Sequence, residues 1–370
     1  MTIPAPLDLA SVVKAFALHG AYLEALPYGS GHINDTFAVA ISQSGTRVRY
    51  IFQRINQRIF TQPAALMENI QRVTEAARSE LSSRAGVVDV TRRTLQVIPA
   101  RDGKPYHRDE EGAYWRCYPF IEGARTYDII QNSGQAYQAA RAFGEFQALA
   151  ARLEGPRLHE TISAFHDTRS RFEKLRAAVK ADPKDRLKEV SAEWDFVQQR
   201  EKVVDVLLDL AARGDLPERV THNDTKLNNV MIDDTTGEGI CVIDLDTVMP
   251  GLALYDFGDM VRTATSPAAE DEKNVSLVQM QMPMFEALAR GYLSSAGGFL
   301  TPVERVYLPF SGKLIALEIG IRFLTDYLEG DTYFKIKRPE HNLDRTRTQL
   351  ALVKSIEEQE AAMNTLIASI

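Results

Sequence analysis

The sequence predicts an α+β fold of two lobes, a small β-rich N-terminal lobe and a large helical C-terminal lobe. Three observations carry this expectation. Runs of β-formers broken by turn residues dominate residues 1–120. Apolar residues at helical spacing dominate residues 121–370. One short apolar hairpin, near residues 230–243, interrupts the helical part. The chain has 370 residues, which suits one large or two ordinary domains, and at 45% hydrophobic it can fill a core.

Each element has its own signal. Phe37–Ser42 and Val48–Ile55 are rich in β-formers, with Ser44-Gly45 as the turn between them. From Pro63 to Glu80, Leu66, Ile70, Val73 and Ala77 recur at helical spacing. Leu95–Ile98 and Ala113–Phe120 read as strands, with Arg101-Asp102-Gly103 as a turn after the first. Ile121-Glu122-Gly123 is the expected linker, placing the lobes at 1–120 and 121–370 with a hinge near 118–123. Ser133 is positioned to cap a helix reaching Leu149. One helical period spans Glu189 to Ala212. Val230–Ile232 and Ile240–Ile243 are short strands around the turn-forming stretch Asp234–Gly239, and Ser276–Leu293, Pro302–Leu328 and Leu343–Ile367 read as further helices.

Composition narrows the function. The chain carries 43 basic and 50 acidic side chains, a net charge of −7, so it lacks the basic footprint of a nucleic-acid surface. Its two cysteines, Cys117 and Cys241, are far apart and form neither a disulfide framework nor a metal-ligand pair. A reducing, cytoplasmic setting is the expectation. No signal-peptide pattern and no run of 18 apolar residues appears, so no membrane span is expected.

The chemistry concentrates at His222-Asn-Asp224-Thr-Lys226-Leu-Asn-Asn229 and, 15 residues past Asn229, at Ile243-Asp244-Leu245-Asp246. His-x-Asp-x-x-x-x-Asn is the spacing of the protein-kinase catalytic loop, although Asn223 stands where those kinases carry arginine. Phosphoryl transfer from ATP needs such a set. One carboxylate, here Asp224, orients the attacking hydroxyl and accepts its proton. An amide oxygen and a second carboxylate, Asn229 and Asp244, offer magnesium the hard oxygen ligands it takes. A carboxylate closing the apolar strand Val242-Ile243 needs a cation or donors, which favours this role for Asp244. Lys226 is a candidate to neutralise charge on the transferred group. Asp246, on the same strand face as Asp244, is a candidate second metal ligand, substrate contact or structural acceptor. His222 is expected to shape the loop. Asp256 and Asp259 flank Phe257-Gly258, but Asp256 lies 27 residues past Asn229, and bracing the loop or capping a helix suits it better than binding metal.

The order of these parts resembles the aminoglycoside-phosphotransferase-like kinases, which share a two-lobed protein-kinase-like fold with the choline kinases. More narrowly, Gly29-Ser-Gly-His-Ile-Asn-Asp-Thr-Phe37, Ile243-Asp-Leu-Asp-Thr-Val-Met-Pro-Gly251, Tyr255-Asp-Phe-Gly-Asp259, Arg322-Phe-Leu-Thr-Asp-Tyr-Leu328 and Gly330-Asp-Thr-Tyr-Phe334 resemble stretches of the N-acetylhexosamine 1-kinases. The resemblance implies ATP- and Mg2+-dependent phosphorylation of a sugar at its anomeric hydroxyl. It also implies sugar contacts from Arg322 and Tyr333, with Asp224 and Asp244 beside the substrate. An amino alcohol, an aminoglycoside or a hydroxy amino acid is the alternative acceptor on the same fold. A nucleotide-binding scaffold without catalysis is the third reading.

On the nucleotide side, Gly29-Ser30-Gly31 before a β-run is a candidate phosphate-covering loop, because glycines let backbone amides approach anionic oxygens. A kinase also needs a cation on its third strand. Here that strand reads Tyr50-Ile-Phe-Gln53-Arg54-Ile55, without lysine. Gln53 or Arg54 must serve, and a period of two lets only one of them face the nucleotide. Glu68 is a candidate helix-borne acidic partner. Tyr118, Phe120 and Ile121 form the candidate hinge, whose backbone meets adenine. Arg322 has a plainer alternative, a helical ion pair with Glu318 four residues earlier.

Overall fold

The computed structural model describes residues 8–29 and 33–370. Ser30 and Gly31 of the glycine-rich stretch lie outside the described residues.

A short helix, α1 (Leu9–Lys14), precedes strands β1 (Ala21–Pro27), β2 (Asp35–Gln43) and β3 (Thr46–Arg54). Helix α2 (Pro63–Ser83) follows, then β4 (His107–Arg108) and β5 (Tyr114–Pro119). The strands form one antiparallel sheet in the order β1-β2-β3-β5-β4. Alternation gives it two distinct faces. Val39, Ile41, Tyr50, Phe52, Trp115 and Cys117 bury one face against Leu9, Val12, Val13 and Phe16. The other face carries Thr36, Gln53 and Arg116 in cross-strand register.

The rest of the chain is mainly helical. A minor strand β6 (Ala124–Arg125) leads to α3 (Ser133–Ala150), α4 (Thr168–Ala181), α5 (Ser191–Gln198) and α6 (Val206–Ala212). Then come β7 (Arg219–Thr221), the hairpin β8 (Val230–Asp233) and β9 (Gly239–Val242), and β10 (Met249–Gly251). Helices α7 (Ala253–Ala264), α8 (Met282–Ala296), α9 (Pro302–Val306), α10 (Leu308–Glu329) and α11 (His341–Ser369) complete the fold. Nearly all of α10 is buried, and its buried charges are partnered, Lys313 by Glu360, Glu318 by His166 and Asp326 by backbone N–H groups. Helices α3 and α8 pack at glycine contacts. A β-carbon on Gly291 would sit 2.2 Å from the Tyr137 carbonyl oxygen, and one on Gly144 would sit 2.8 Å from that of Tyr292. One apolar core joins α2 to these helices, and Asn69 of α2 donates to the Val248 carbonyl at 3.0 Å. Among the described residues no helix is long and apolar enough to cross a membrane.

The α+β expectation holds, with local corrections. Leu95–Ile98 is irregular; Ile98 N–H donates once to Cys117, but Pro99 follows with no N–H to extend a ladder, and β4 takes the sheet edge. The single helix expected over 189–212 is divided into α5 and α6 by a 3-10 turn at Glu201–Val203. There the Arg200 guanidinium caps the Phe196 carbonyl at 3.0 Å and pairs with Glu357. Two other helices start late or split for one shared reason. Pro283 and Pro309 each occupy the first turn of a new helix, where a missing N–H costs nothing, so α8 begins at Met282 and α9 is separated from α10. The cap of α3 is Asn132, whose side chain accepts from Gln135 N–H at 3.0 Å, one residue before Ser133. Helices α4 and α7 carried no sequence assignment.

Candidate active site

The loop between β7 and β8 is held by acceptors on α7. Asp256, in the first turn of α7, accepts the backbone N–H of His222 at 2.9 Å and of Asn223 at 2.7 Å. Gln147 of α3 donates to the same carboxylate at 2.6 Å. One turn on, Asp259 accepts Thr225 N–H at 2.9 Å and is itself held by Arg262 at 2.8 Å. The loop amides therefore have fixed partners, which sets where the side chains between them point. Asn223 takes a left-handed φ of 64° and donates to the Thr247 carbonyl at 2.8 Å. Asparagine tolerates that backbone and supplies the local bond.

His222 is buried beside Phe143 and Phe146. Its Nε2 donates to the Ile243 carbonyl at 2.9 Å, and its Nδ1 receives Asp224 N–H at 3.3 Å. Both ring nitrogens are thereby engaged in tying the loop to Ile243, which links β9 to Asp244.

Asp224 presents its carboxylate to the cleft. Lys226 Nζ lies 2.7 Å from Oδ1, and Asn229 Nδ2 donates to Oδ2 at 3.2 Å and to the Asp224 carbonyl at 2.8 Å. Burial pushes the carboxyl up, but Lys226 more than offsets this and holds it below its usual value. Asn229 spends its amide N–H on Asp224, which turns its oxygen the other way. Asp244 follows β9 with a left-handed φ of 58°. It accepts no hydrogen bond among the described residues, and its side chain is open to the cleft that it lines. Burial, then the like charges of Asp246 and Asp224, push its carboxyl up to about 6. The open amide oxygen of Asn229 and the Asp244 carboxylate crowded by its own kind are what a divalent cation would relieve.

These groups meet in a cleft of about 600 Å³ between the sheet and the helical part. Asp224, Lys226, Asn229 and Asp244 line one wall, and Gln53, Thr36 and Arg116 line the opposite one. Tyr118, Phe120, Ile121 and Gly29 also line it. Phe120 packs beneath the Arg49 guanidinium, 3.7 Å from its ring centre, with Tyr28 edge-on at 5.3 Å. Gly29 has a φ of +83°, a conformation side chains disfavour.

Several candidates are placed differently from expectation. Arg54 faces away from the cleft and pairs with Asp35 at 2.6 Å, because strand alternation sends Gln53 to the cleft face. Asp246 is no free metal ligand. It is buried, one oxygen is engaged by Arg116, and the other accepts from Asn34 Nδ2 at 2.6 Å. Glu68 lies at the surface with His159, 2.8 Å away. Glu318 pairs with His166 at 3.1 Å rather than with Arg322. Arg322 and Tyr333 do come together, but in a separate small depression with Arg171, Lys174, Asp326 and Phe334 that shares no lining residue with the cleft.

Arg116 and Asn34 escaped the sequence reading. A guanidinium in the middle of Tyr114-Trp-Arg-Cys-Tyr118 was the available signal, since a charge alternating with buried aromatics needs a partner. Burial alone would depress that guanidinium, but Asp246 more than offsets this and holds its pKa above the ordinary value.

Comparison with known proteins follows this geometry. A solved aminoglycoside phosphotransferase from Alicyclobacillus acidocaldarius is similar across 100% of this chain and 98% of its own, with 13% identity and a TM-score of 0.68. An amicoumacin kinase, solved in complex with AMP-PNP, Ca2+ and Ami, is similar over 95% of this chain and 94% of its own, at 14% identity and a TM-score of 0.59. A choline/ethanolamine kinase family protein from Mesorhizobium loti is similar over 94% and 93%, at 16% identity and a TM-score of 0.51. The fold is thus protein-kinase-like, with an N-terminal antiparallel sheet and a mostly helical C-terminal part. A sequence profile of that same enzyme class matches residues 24–306, more than half of the chain, and so the chain belongs to the phosphotransferase enzyme family.

Proposed function

We propose that the protein is an ATP- and magnesium-dependent kinase that phosphorylates the anomeric hydroxyl of an N-acetylhexosamine, giving the sugar 1-phosphate. The observation that carries the kinase part is the convergence of Asp224, Asn229 and Asp244 on one wall of a cleft walled opposite by Thr36, Gln53 and Arg116. Asp224 orients the acceptor hydroxyl and takes its proton as the bond to phosphorus forms. Lys226, beside it, offsets negative charge on the transferred group. Asn229 and Asp244 are the oxygen ligands for magnesium, which when bound would draw charge from the phosphates. Gly29 and Gln53 face the phosphates, and Tyr118, Phe120 and Ile121 form the adenine side. The lobes 1–120 and 121–370 hinge near 118–123.

The sugar part rests on the resemblance of the 322–334 segment, supported by charge. A polycationic aminoglycoside wants an acidic pocket. The depression holding Arg322 and Tyr333 instead gathers Arg171, Lys174 and Arg322. Its Asp326 is spent on the backbone N–H groups of Thr332, Tyr333 and Phe334, and its Glu329 pairs with Lys174 at 3.1 Å. That lining disfavours a polycation, although the depression shares no lining residue with the cleft that holds Asp224. An amino alcohol remains the second reading, motivated by similarity to an aminopropanol kinase at a TM-score of 0.55.

The test is phosphorus NMR of the product after incubation with Mg-ATP and N-acetylglucosamine or N-acetylgalactosamine. The expected phosphorus resonance couples to the anomeric proton. Phosphate on another hydroxyl, or ADP release with amino alcohols alone, overturns the sugar assignment.

A further inference from the structure

The nucleotide wall poses an electrostatic question that its third strand does not answer. β3 carries no lysine, and its arginines are taken up elsewhere. Arg54 is on the far face with Asp35, Arg49 is paired with Glu122 over Phe120, and Arg47 is paired with Glu24. Among the described residues only two cations line the cleft, Lys226 and Arg116, and Lys226 is already 2.7 Å from Asp224.

We propose that Arg116, on β5, is the cation that meets the α- and β-phosphates of the nucleotide, and that Asp246 is its positioning residue. This rests on reading the cleft as the ATP site. The register sets the arrangement. Gln53 of β3 stands opposite Thr36 of β2 on one side and Arg116 of β5 on the other. Gln53 Nε2 donates to Thr36 Oγ1 at 3.0 Å, and Arg116 Nε donates to Gln53 Oε1 at 2.8 Å. Arg116 Nη1 donates to Asp246. Arginine has five N–H donors. Nη2 has no hydrogen-bond partner among the described residues, while the side chain lines the cleft. The guanidinium is thus immobilised through two of its nitrogens and is only 1% exposed, so an anion would meet it at the edge that lines the cleft. A fixed, desolvated donor stabilises phosphate charge without reorganising when it arrives.

Asp246 supplies the other half. It sits in the 3-10 turn Leu245–Thr247, directly after the candidate metal ligand Asp244, and so belongs to the wall opposite Arg116. Its second oxygen takes Asn34, which also accepts the Asn56 N–H at 2.9 Å and lies at the end of the glycine-rich stretch. One carboxylate therefore holds the cation, the end of that loop and the metal-bearing turn together. The usual kinase pairs a strand lysine with a helix glutamate. Here the acid comes from the turn that follows Asp244, and Glu68 of α2 stays at the surface.

The test measures binding of ADP, AMP and adenosine to the full-length protein by calorimetry, with no acceptor needed. Arg116→Gln combined with Asp246→Asn removes the ion pair without stranding a buried charge. We expect ADP to weaken about ten- to a hundredfold, the size of lost charge-assisted hydrogen bonds, while adenosine changes less than about twofold. Equal weakening of ADP and adenosine would mean that the pair is only a strut between the walls, and overturns the proposal. If the double variant does not fold by circular dichroism, Arg116→Lys decides. Lysine keeps the charge but loses the planar fork that bridges Gln53 and Asp246 while holding further N–H groups toward the cleft, so the ratio of ADP to adenosine affinity must fall, and an unchanged ratio overturns the proposal. A wild-type protein that binds no adenine nucleotide sinks the ATP reading itself, which is a separate result.

Discussion

At the scale of single residues, the loop between β7 and β8 shows how fixed backbone partners set side-chain chemistry. Asp256 and Asp259 leave no choice about where His222, Asn223 and Thr225 sit, so Asp224 enters the cleft already oriented. Replacing Asp224 by Asn keeps the shape and removes the proton acceptor. We expect turnover to fall about 10²- to 10⁴-fold with nucleotide affinity little changed. Steady-state kinetics paired with ADP titration checks this, and near-normal turnover would remove Asp224 from the role. His222 has the opposite profile. Its two nitrogens are committed to Ile243 and Asp224 backbone, so its contribution is shape.

Elements add constraints that single residues do not show. Helices α3 and α8 approach so closely that Gly291 has no room for a side chain. Gly291→Ala should cost about 1–3 kcal/mol by overpacking. Urea unfolding would report it as a lower midpoint at unchanged slope, and an unaltered midpoint would refute the close contact. The β8–β9 hairpin offers a pH-dependent case. Asp233 accepts N–H bonds from Thr236 at 2.8 Å and Thr235 at 2.9 Å, and Arg92 pairs with it at 2.9 Å. Thr236, then Thr235 and Arg92, pull its carboxyl down to about 2 from 3.8. A depressed folded-state value favours the ionised form in the native protein. Its stabilisation is therefore present above 3.8 and is lost as pH falls through about 2. Asp233→Asn should lower Tm at neutral pH, and the gap to wild type should close on acidification. A gap independent of pH would show that the hydrogen-bond shape, not the charge, matters.

For the whole molecule, the cleft is the place where two independently built surfaces meet. Arg116 comes from the sheet, Asn34 from the segment entering β2 and Asp246 from the helical part, and they close into one polar junction. Helix α2, although it follows β3, shares the core of the helical part and bonds to it through Asn69. Any motion of the sheet against the helical part would therefore have to be taken up around α2 as well as at the proposed hinge, 118–123. A ligand that binds across the cleft should stabilise the fold. With Mg2+ and AMP-PNP at a hundredfold over Kd, linkage gives about 2.7 kcal/mol. A thermal melt should show this gain, and EDTA should remove most of it through Asn229 and Asp244. Stabilisation by AMP-PNP that ignores EDTA would count against those two as metal ligands.

Much of this was legible in the chain because local chemistry is written in local spacing. The strand runs, the 230–243 hairpin, α2 and the Asp224–Asn229–Asp244 set all depend on residues close in sequence, whose periodicity or turn preference acts without help from afar. The helix breaks at Pro283 and Pro309 have a local proline cause as well, but the helical spacing reads straight through both, so the sequence reading missed them. Pairing across the fold was not legible. Whether Asp246 binds metal or Arg116, and whether Glu318 meets Arg322 or His166, depends on which surfaces the tertiary structure brings together. A carboxylate advertises only that it needs a cation or donors; the partner is chosen by whatever folds against it. That is why the sequence by itself determined which groups are candidates for the chemistry, while the tertiary structure alone decided which charges answer one another.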